Sequence, residues 1–371
     1  MKTILSFLTI GLITFNSTAQ QTYETIDING ETREYYQYLP TGYDANTEEL
    51  PLLFVLHGIG GTALATAGYG MNQLADNERF IPVYLQGANN LFGQSSWNNG
   101  TGLESDAEDL AFISILLDSI NNDPNVDINM SRVYMTGISM GSIMTYNACR
   151  YMSDRIAAVV CHIGTMSTED LTNFTPEYPV PTLHKHGTND GTVPYAGTAL
   201  PSLSLVQETI DQLKISNGFQ GDSTIIPLPD NASDGITIDK IVYNCTTPLE
   251  LWRMNNADHI LLFEPANDTN STEVTWEFLK QHTHPNPSTA TLKEDVQTQA
   301  RIYPNPANTE INLINHGDFK SYQILGMDGR IMLESTQTSG QIDIQDIDAG
   351  TYILSLVDLN GRISNQQFIK E

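Results

Sequence analysis

Up to Gln281 the chain alternates continuous apolar blocks of strand length with longer amphipathic stretches. Leu52-Leu53-Phe54-Val55-Leu56, Pro82-Val83-Tyr84-Leu85, Val133-Tyr134-Met135 and Ala157-Ala158-Val159-Val160-Cys161 show no polar alternation, as expected of strands covered on both faces. Residues 108–121 and 142–151 between them read as helices. This order predicts an α/β fold, a doubly wound, mostly parallel sheet with helices on both faces. A leading hairpin over 23–39 is expected to turn at Asn29-Gly30.

Both ends break this pattern. Met1-Lys2 precedes an apolar run that closes at Asn16-Ser17-Thr18-Ala19, the layout of a cleavable export leader over residues 1–19. That run is too short for a permanent anchor, and no later segment has the continuous apolar length of a membrane span. After Gln281 the polar, Pro-containing His282-Thr283-His284-Pro285-Asn286-Pro287 opens a linker over 282–300. Short alternating runs follow, such as Glu310-Ile311-Asn312-Leu313-Ile314 and Tyr352-Ile353-Leu354-Ser355-Leu356-Val357. Turns at Met327-Asp328-Gly329-Arg330 and Leu359-Asn360-Gly361-Arg362 separate them, so residues 301–371 are predicted to form a small β-sandwich. The first domain spans 20–281.

Charge narrows the partners. With 17 basic against 44 acidic residues the net charge is −27, which excludes nucleic acid and disfavours strongly anionic polymers. Three cysteines, Cys149, Cys161 and Cys245, permit at most one internal bridge in an exported protein. Cys149–Cys245 is one such pairing, and Cys161 reads as core. Neither the cysteines nor the histidines have metal-ligand spacing, so no metal is expected.

The chemistry starts at Gly137-Ile138-Ser139-Met140-Gly141, a G-x-S-x-G run between a predicted strand and a predicted helix. Glycines on either side permit a sharp turn that exposes the Ser139 hydroxyl at a helix N-terminus, as nucleophilic attack on an acyl carbon requires. Hydrolases of this build place the acid after the nucleophile and the base last. Asp190, in the Gly-rich loop after the strand at 181–186, can orient an imidazole, although Asn189-Asp190-Gly191 also suits an ordinary turn. His259 fits the position of the base, whereas His57, His184 and His186 precede Asp190. Backbone N–H groups of Met140 and Ile59, with Gly58 the close competitor for the second place, would receive the developing oxyanion. His57 and Trp97 are candidate substrate contacts, with burial an equal alternative for Trp97.

These motifs together resemble the polyhydroxybutyrate-depolymerase-like esterases, which include feruloyl and acetylxylan esterases of carbohydrate esterase family one. The resemblance runs from Tyr35 to about Gln281. It rests on Leu39-Pro40-Thr41-Gly42-Tyr43, Leu56-His57-Gly58-Ile59-Gly60-Gly61-Thr62, Ser96-Trp97-Asn98, Asp109-Leu110-Ala111-Phe112-Ile113, the Ser139 run and His186-Gly187-Thr188-Asn189-Asp190. It implies an α/β-hydrolase with the triad Ser139, Asp190 and His259, oxyanion donors Ile59 and Met140, and no cofactor. Where the family shows a Gly-Gly-His-Thr-Trp-Pro-like run, this chain has Asn256-Ala257-Asp258-His259-Ile260-Leu261, so the Trp beside the base is absent. Phe219 stands where many relatives carry a Cys that bridges to a cysteine aligned with Cys245.

The tail resembles the C-terminal sorting domain of the type IX secretion system through Ile302-Tyr303-Pro304-Asn305-Pro306-Ala307, Asp346-Ile347-Asp348-Ala349-Gly350-Thr351-Tyr352 and Phe368-Ile369-Lys370. That resemblance implies the type IX machinery as a partner and a secreted or outer-membrane-surface location. The expected activity is a serine carboxylic ester hydrolase acting on feruloyl or acetyl esters of plant cell-wall polysaccharide. The alternatives are a polyhydroxybutyrate-like polyester depolymerase and a non-catalytic adhesion protein.

Overall fold

The computed structural model describes residues 20–196, 202–288, 301–314, 319–326, 330–336, 340–358 and 363–371. The expected leader, most of the linker and the turns expected at 327–330 and 359–362, save Arg330, lie outside the described residues. The chain divides into two compact units, Met1–Thr291 and Leu292–Glu371.

The first unit opens with strands β1 (Gln20–Ile28) and β2 (Glu31–Leu39) in antiparallel register. Asn29 and Gly30 join them at φ 54 and 91, the left-handed pair that a two-residue hairpin turn demands. Next come β3 (Leu50–Leu56), helices α1 (Ala63–Ala67) and α2 (Met71–Glu78), and β4 (Ile81–Leu85). A short hairpin, β5 (Ala88–Asn89) with β6 (Ser95–Ser96), leads to α3 (Asp109–Asn121), β7 (Ile128–Ile138) and α4 (Met140–Met152). They are followed by β8 (Ala158–His162), α5 (Thr168–Asn173), β9 (Thr182–Gly187) and α6 (Val206–Ser216). The unit closes with β10 (Phe219–Pro227), β11 (Thr237–Cys245), β12 (Leu249–Asn255) and α7 (Ser271–Leu279).

Ten of these strands form one sheet in the order β1-β2-β4-β3-β7-β8-β9-β12-β11-β10. The middle six run parallel, with antiparallel strands added at each edge. Every residue of β3, β4, β8 and β9 is buried, which is why β3, β4 and most of β8 read as apolar without alternation; β9 instead buries His184, Lys185 and His186. Alternate side chains serve opposite faces. Leu53, Val55, Tyr134, Val160 and Leu183 pack with residues of α1, α2 and α7, while α3 and α4 cover the other face.

The doubly wound prediction therefore matches the observed sheet. Its parallel strands gather their C-terminal ends along one edge, the usual place for a site in such a sheet. All three cysteines are free, Cys149 and Cys161 buried and Cys245 partly so, so the pairing that the count allowed between Cys149 and Cys245 is not made.

The second unit is all β. Strands β13 (Arg301–Tyr303), β14 (Glu310–Ile314) and β17 (Gln341–Asp343) make one sheet. A second is built from β15 (Phe319–Gly326), β16 (Ile331–Ser335), β18 (Gly350–Asp358) and β19 (Ile363–Lys370). Ile311, Ile342, Ile324, Leu354 and Phe368 from both sheets share one core, as a sandwich requires.

Candidate active site

β7 ends at Ile138, and Ser139 follows with φ 55 and ψ −119, a conformation that a side chain keeps only when its surroundings enforce it. Here the backbone does so. The Ser139 N–H donates to His162 O at 2.8 Å, and Ser139 O accepts from Ser142 N–H at 2.9 Å and Ile143 N–H at 3.2 Å. The flanking glycines allow the close approach: a Cβ on Gly137 would lie 2.0 Å from Gly141 O, and one on Gly141 would lie 2.5 Å from Leu56 O. The serine is thereby lifted onto the first turn of α4.

Facing it is the turn after β3. Gly58 lies so near that a Cβ there would stand 3.2 Å from Ser139 Cβ. Gly58 O accepts from the His57 ring Nδ1–H at 2.7 Å and from Gly61 N–H at 2.9 Å. The His57 tautomer is set by its other side, where Nε2 accepts from Gly87 N–H at 2.9 Å. Fixing the Gly58 carbonyl aims the trans peptide's N–H, that of Ile59, the opposite way. Ile59 N–H donates in none of the backbone or side-chain hydrogen bonds of the described residues, and Met140 N–H, at the first helical position, has no intrahelical acceptor.

His57 and Trp97 need correction as substrate contacts. They are 1% and 0% exposed. The Trp97 indole N–H donates to His57 O at 2.8 Å, and the two rings lie 4.9 Å apart. An indole placed in the interior must find an acceptor for its N–H, and this one finds it in the backbone of the turn after β3. Both side chains support the turn from beneath. Burial also lowers the His57 pKa, despite the Gly58 carbonyl beside it.

Asp190 follows β9 and His259 follows β12, the next strand in the sheet. The two loops are clamped together. Asn189 N–H donates to Ala257 O at 2.9 Å, and Asp258 Oδ1 accepts from Gly191 N–H at 3.1 Å and His259 N–H at 2.8 Å. Asp190 Oδ1 accepts from Thr192 and Val193 N–H at 2.9 and 2.8 Å, and Oδ2 accepts from His259 Nδ1–H at 2.7 Å. Burial alone would raise the carboxyl pKa, but hydrogen bonds from His186, His259 and Val193 outweigh it and hold Asp190 well below the usual carboxylate range.

Sequence order set His186 aside, and the structure brings it to Asp190, its Nε2 standing 3.2 Å from Oδ2. The available signal was its place four residues before Asp190, at the end of the same strand. Among the described residues, the carboxylates of Asp230, Asp234 and Asp268 form a surface group with ligand atoms within 4.8 Å of one another. The oxygens of Asp268 already accept from Asn231 and Ala232 N–H, and those of Asp234 from Ile236 N–H and Asn267.

Residues 44–214 match the model of the family described as phospholipase/carboxylesterase, and residues 301–371 match that of the secretion system C-terminal sorting domain. A bifunctional acetylxylan esterase/xylanase of Neocallimastix patriciarum is 32% identical over 168 residues, 45% of this chain and 22% of the relative. The probable feruloyl esterase C of Aspergillus niger is 28% identical over 257 residues, 68% of this chain and 84% of the relative. The chain thus spans about a fifth of the first relative and most of the second. An acetyl xylan esterase structure from Aspergillus awamori aligns with a TM-score of 0.48 at 15% identity, covering 71% of this chain and 99% of that one.

Proposed function

For a chain that carries a phospholipase/carboxylesterase segment ahead of a secretion-system sorting domain, we propose an exported serine carboxylic ester hydrolase. Its substrates are feruloyl or acetyl esters of plant cell-wall polysaccharide. The observation that supports this most is the left-handed Ser139 at a strand–helix junction, on the same sheet edge as the Asp190–His259 pair.

In this reading the Ser139 Oγ attacks the ester carbonyl while His259 Nε2 takes its proton, and Asp190 holds the His259 Nδ1–H and stabilises the imidazolium. Ile59 and Met140 N–H receive the oxyanion. His259 then protonates the leaving alcohol, leaving an acyl-enzyme on Ser139. Water activated by His259 attacks this ester, and the acid departs. No step uses a cofactor. The hairpin carrying Leu91 and Phe92, which are 94% and 74% exposed, is anchored on the oxyanion turn through Gly60 N–H to Ser95 O at 2.7 Å. It offers apolar surface to an acyl group. The tail sorts the chain through the type IX machinery to the cell surface or medium.

The test is initial-rate hydrolysis of methyl ferulate, p-nitrophenyl acetate and a hydroxybutyrate oligomer by the mature chain, with Ser139→Ala beside it. Ser139-dependent turnover of the ferulate or acetate is expected. Preference for the oligomer would make the protein a polyester depolymerase. Silence on all three, with binding retained, would favour adhesion.

A further inference from the structure

Behind the acid lies a line of buried polar side chains that the mechanism above does not use. Tyr146 sits seven residues after Ser139 on α4, and its hydroxyl lies 2.6 Å from His184 Nδ1. His184 Nε2 is 3.1 Å from His186 Nδ1, and His186 Nε2 is 2.9 Å from Val193 O and 3.2 Å from Asp190 Oδ2. Tyr146, His184 and His186 are each 0% exposed. His184 and His186 alternate on β9, so both point to the face that α4 covers, and their rings stack 5.2 Å apart.

The proton order along this line follows from the acceptors at its end. Val193 O and the Asp190 carboxylate only accept, so His186 Nε2 carries hydrogen. With one proton per ring, His186 Nδ1 accepts from His184 Nε2–H, and His184 Nδ1 accepts from the Tyr146 O–H. Every donor then points toward Asp190. The carboxylate receives four N–H groups in all, two on each oxygen, and His186 shares Oδ2 with His259.

We propose that His186, aligned by His184 and Tyr146, is a positioning residue for the triad acid. It fixes the carboxylate plane and draws charge from Oδ2, so that Asp190 orients His259 without holding its proton too tightly. The inference rests on the triad reading of Ser139, Asp190 and His259. It adds a polar tie between the acid and the helix that carries the nucleophile, beside the packing of Ile143 against Val193. The groups facing the line are Cys161 and Cys149 against Tyr146, Tyr195 with its ring 5.9 Å from that of His186, His162 across the strands from His184, and Asp258 beside the Asp190–His259 pair.

The experiment compares kcat and the pH profile of kcat/KM on p-nitrophenyl acetate for the native chain, His186→Leu, His186→Gln, Tyr146→Phe and Ser139→Ala, with circular dichroism to establish folding. Removing the donor leaves more charge on Oδ2 for the imidazolium, so the acid limb of the His186→Leu profile moves upward. The expected shift is about half a unit to one unit, with a tenfold to hundredfold loss of kcat, roughly what one hydrogen bond to a charged group supplies. Gln keeps a donor near the Nε2 position and is expected to restore the limb and most of the rate. Tyr146→Phe, a smaller change that tests the line should His186→Leu not fold, moves the limb in the same direction by less.

A merely structural role would lower kcat in His186→Leu with the limb unmoved, and that result overturns the proposal. An unmoved limb and unchanged rate in Tyr146→Phe overturns the alignment by Tyr146 and His184. If Ser139→Ala retains the native rate, the triad reading itself fails. If Ser139→Ala is inactive while folded His186→Leu matches the native rate and profile, only this inference does.

Discussion

Asp190→Asn tests the acid with a change of one heavy atom. Four N–H groups converge on the carboxylate: Thr192 and Val193 N–H on Oδ1 at 2.9 and 2.8 Å, His259 Nδ1–H on Oδ2 at 2.7 Å, and His186 Nε2 within 3.2 Å of Oδ2. An amide has one oxygen and accepts about two of these bonds. If the oxygen faces His259, the amide NH2 meets both backbone N–H groups, and stranding two buried donors costs about 1–3 kcal/mol each. The favoured rotamer therefore keeps the oxygen on Thr192 and Val193 and turns the NH2 toward the histidines.

His186 retains Val193 O at 2.9 Å. His259, whose side chain is 20% exposed, is free to move its proton to Nε2 so that Nδ1 accepts from the amide. In that tautomer Nε2 is a donor and cannot take the Ser139 proton. The expected loss in kcat is about 10⁴-fold, roughly 5 kcal/mol of transition-state stabilisation, with little change in KM because no group that binds the ground state has moved. Stability should fall by only about 1–3 kcal/mol, since the bonds that persist become neutral ones while the cost of burying the charge is removed. Steady-state hydrolysis of p-nitrophenyl acetate by a variant with native circular dichroism decides the matter. A kcat within tenfold of native would refute the role of Asp190.

Two further outcomes follow from the packing. Gly164→Ala would place a Cβ 2.2 Å from Ser139 O and 2.8 Å from Ser142 Cβ. The nucleophile turn must shift, and kcat should drop by about a hundredfold if the displacement approaches 1 Å; a folded variant with native kcat would show that the turn tolerates displacement. Lys185 is wholly buried, and burial pushes its pKa down to about 7, against about 10.4 in an unfolded chain. Between those values the unfolded state binds more protons, so native stability rises with pH across this window, and the burial cost is full below it. Lys185→Met should flatten that rise and add about 2–4 kcal/mol near pH 6. Urea midpoints of both chains at pH 6.5 and 9.5 check this, and a variant less stable than native at pH 6.5 would contradict it.

What the sequence made legible was what local backbone chemistry dictates. The strand–helix turn at Ser139 was readable because Gly137 and Gly141 must be glycine for the chain to pass Leu56 and re-enter as α4. The parallel strands were readable because they are buried on both faces. By contrast, β10 is exposed along its whole length, so no burial period announces it, and it enters the sheet only through its register with β11. Trp97 lies in a polar loop and reads equally as contact or core. Its burial depends on partners distant in sequence, His57 O beneath it and Asp109 Oδ2, which accepts from the neighbouring Asn98 N–H at 2.6 Å.

His186 shows why the second layer of the site is harder to read than the first. Chain order finds Asp190 and His259 because each must follow a parallel strand at one edge of the sheet, a topological constraint that sequence records. A residue that acts on the acid from behind meets no such constraint. It needs only to alternate inward on a strand that already reads as core, where His184 and His186 sit within a buried run. Inward alternation of a polar residue on a buried strand, close before the loop that bears a candidate acid, is then itself a signal. A buried polar group must find a partner, and at a strand end the nearest one is the site.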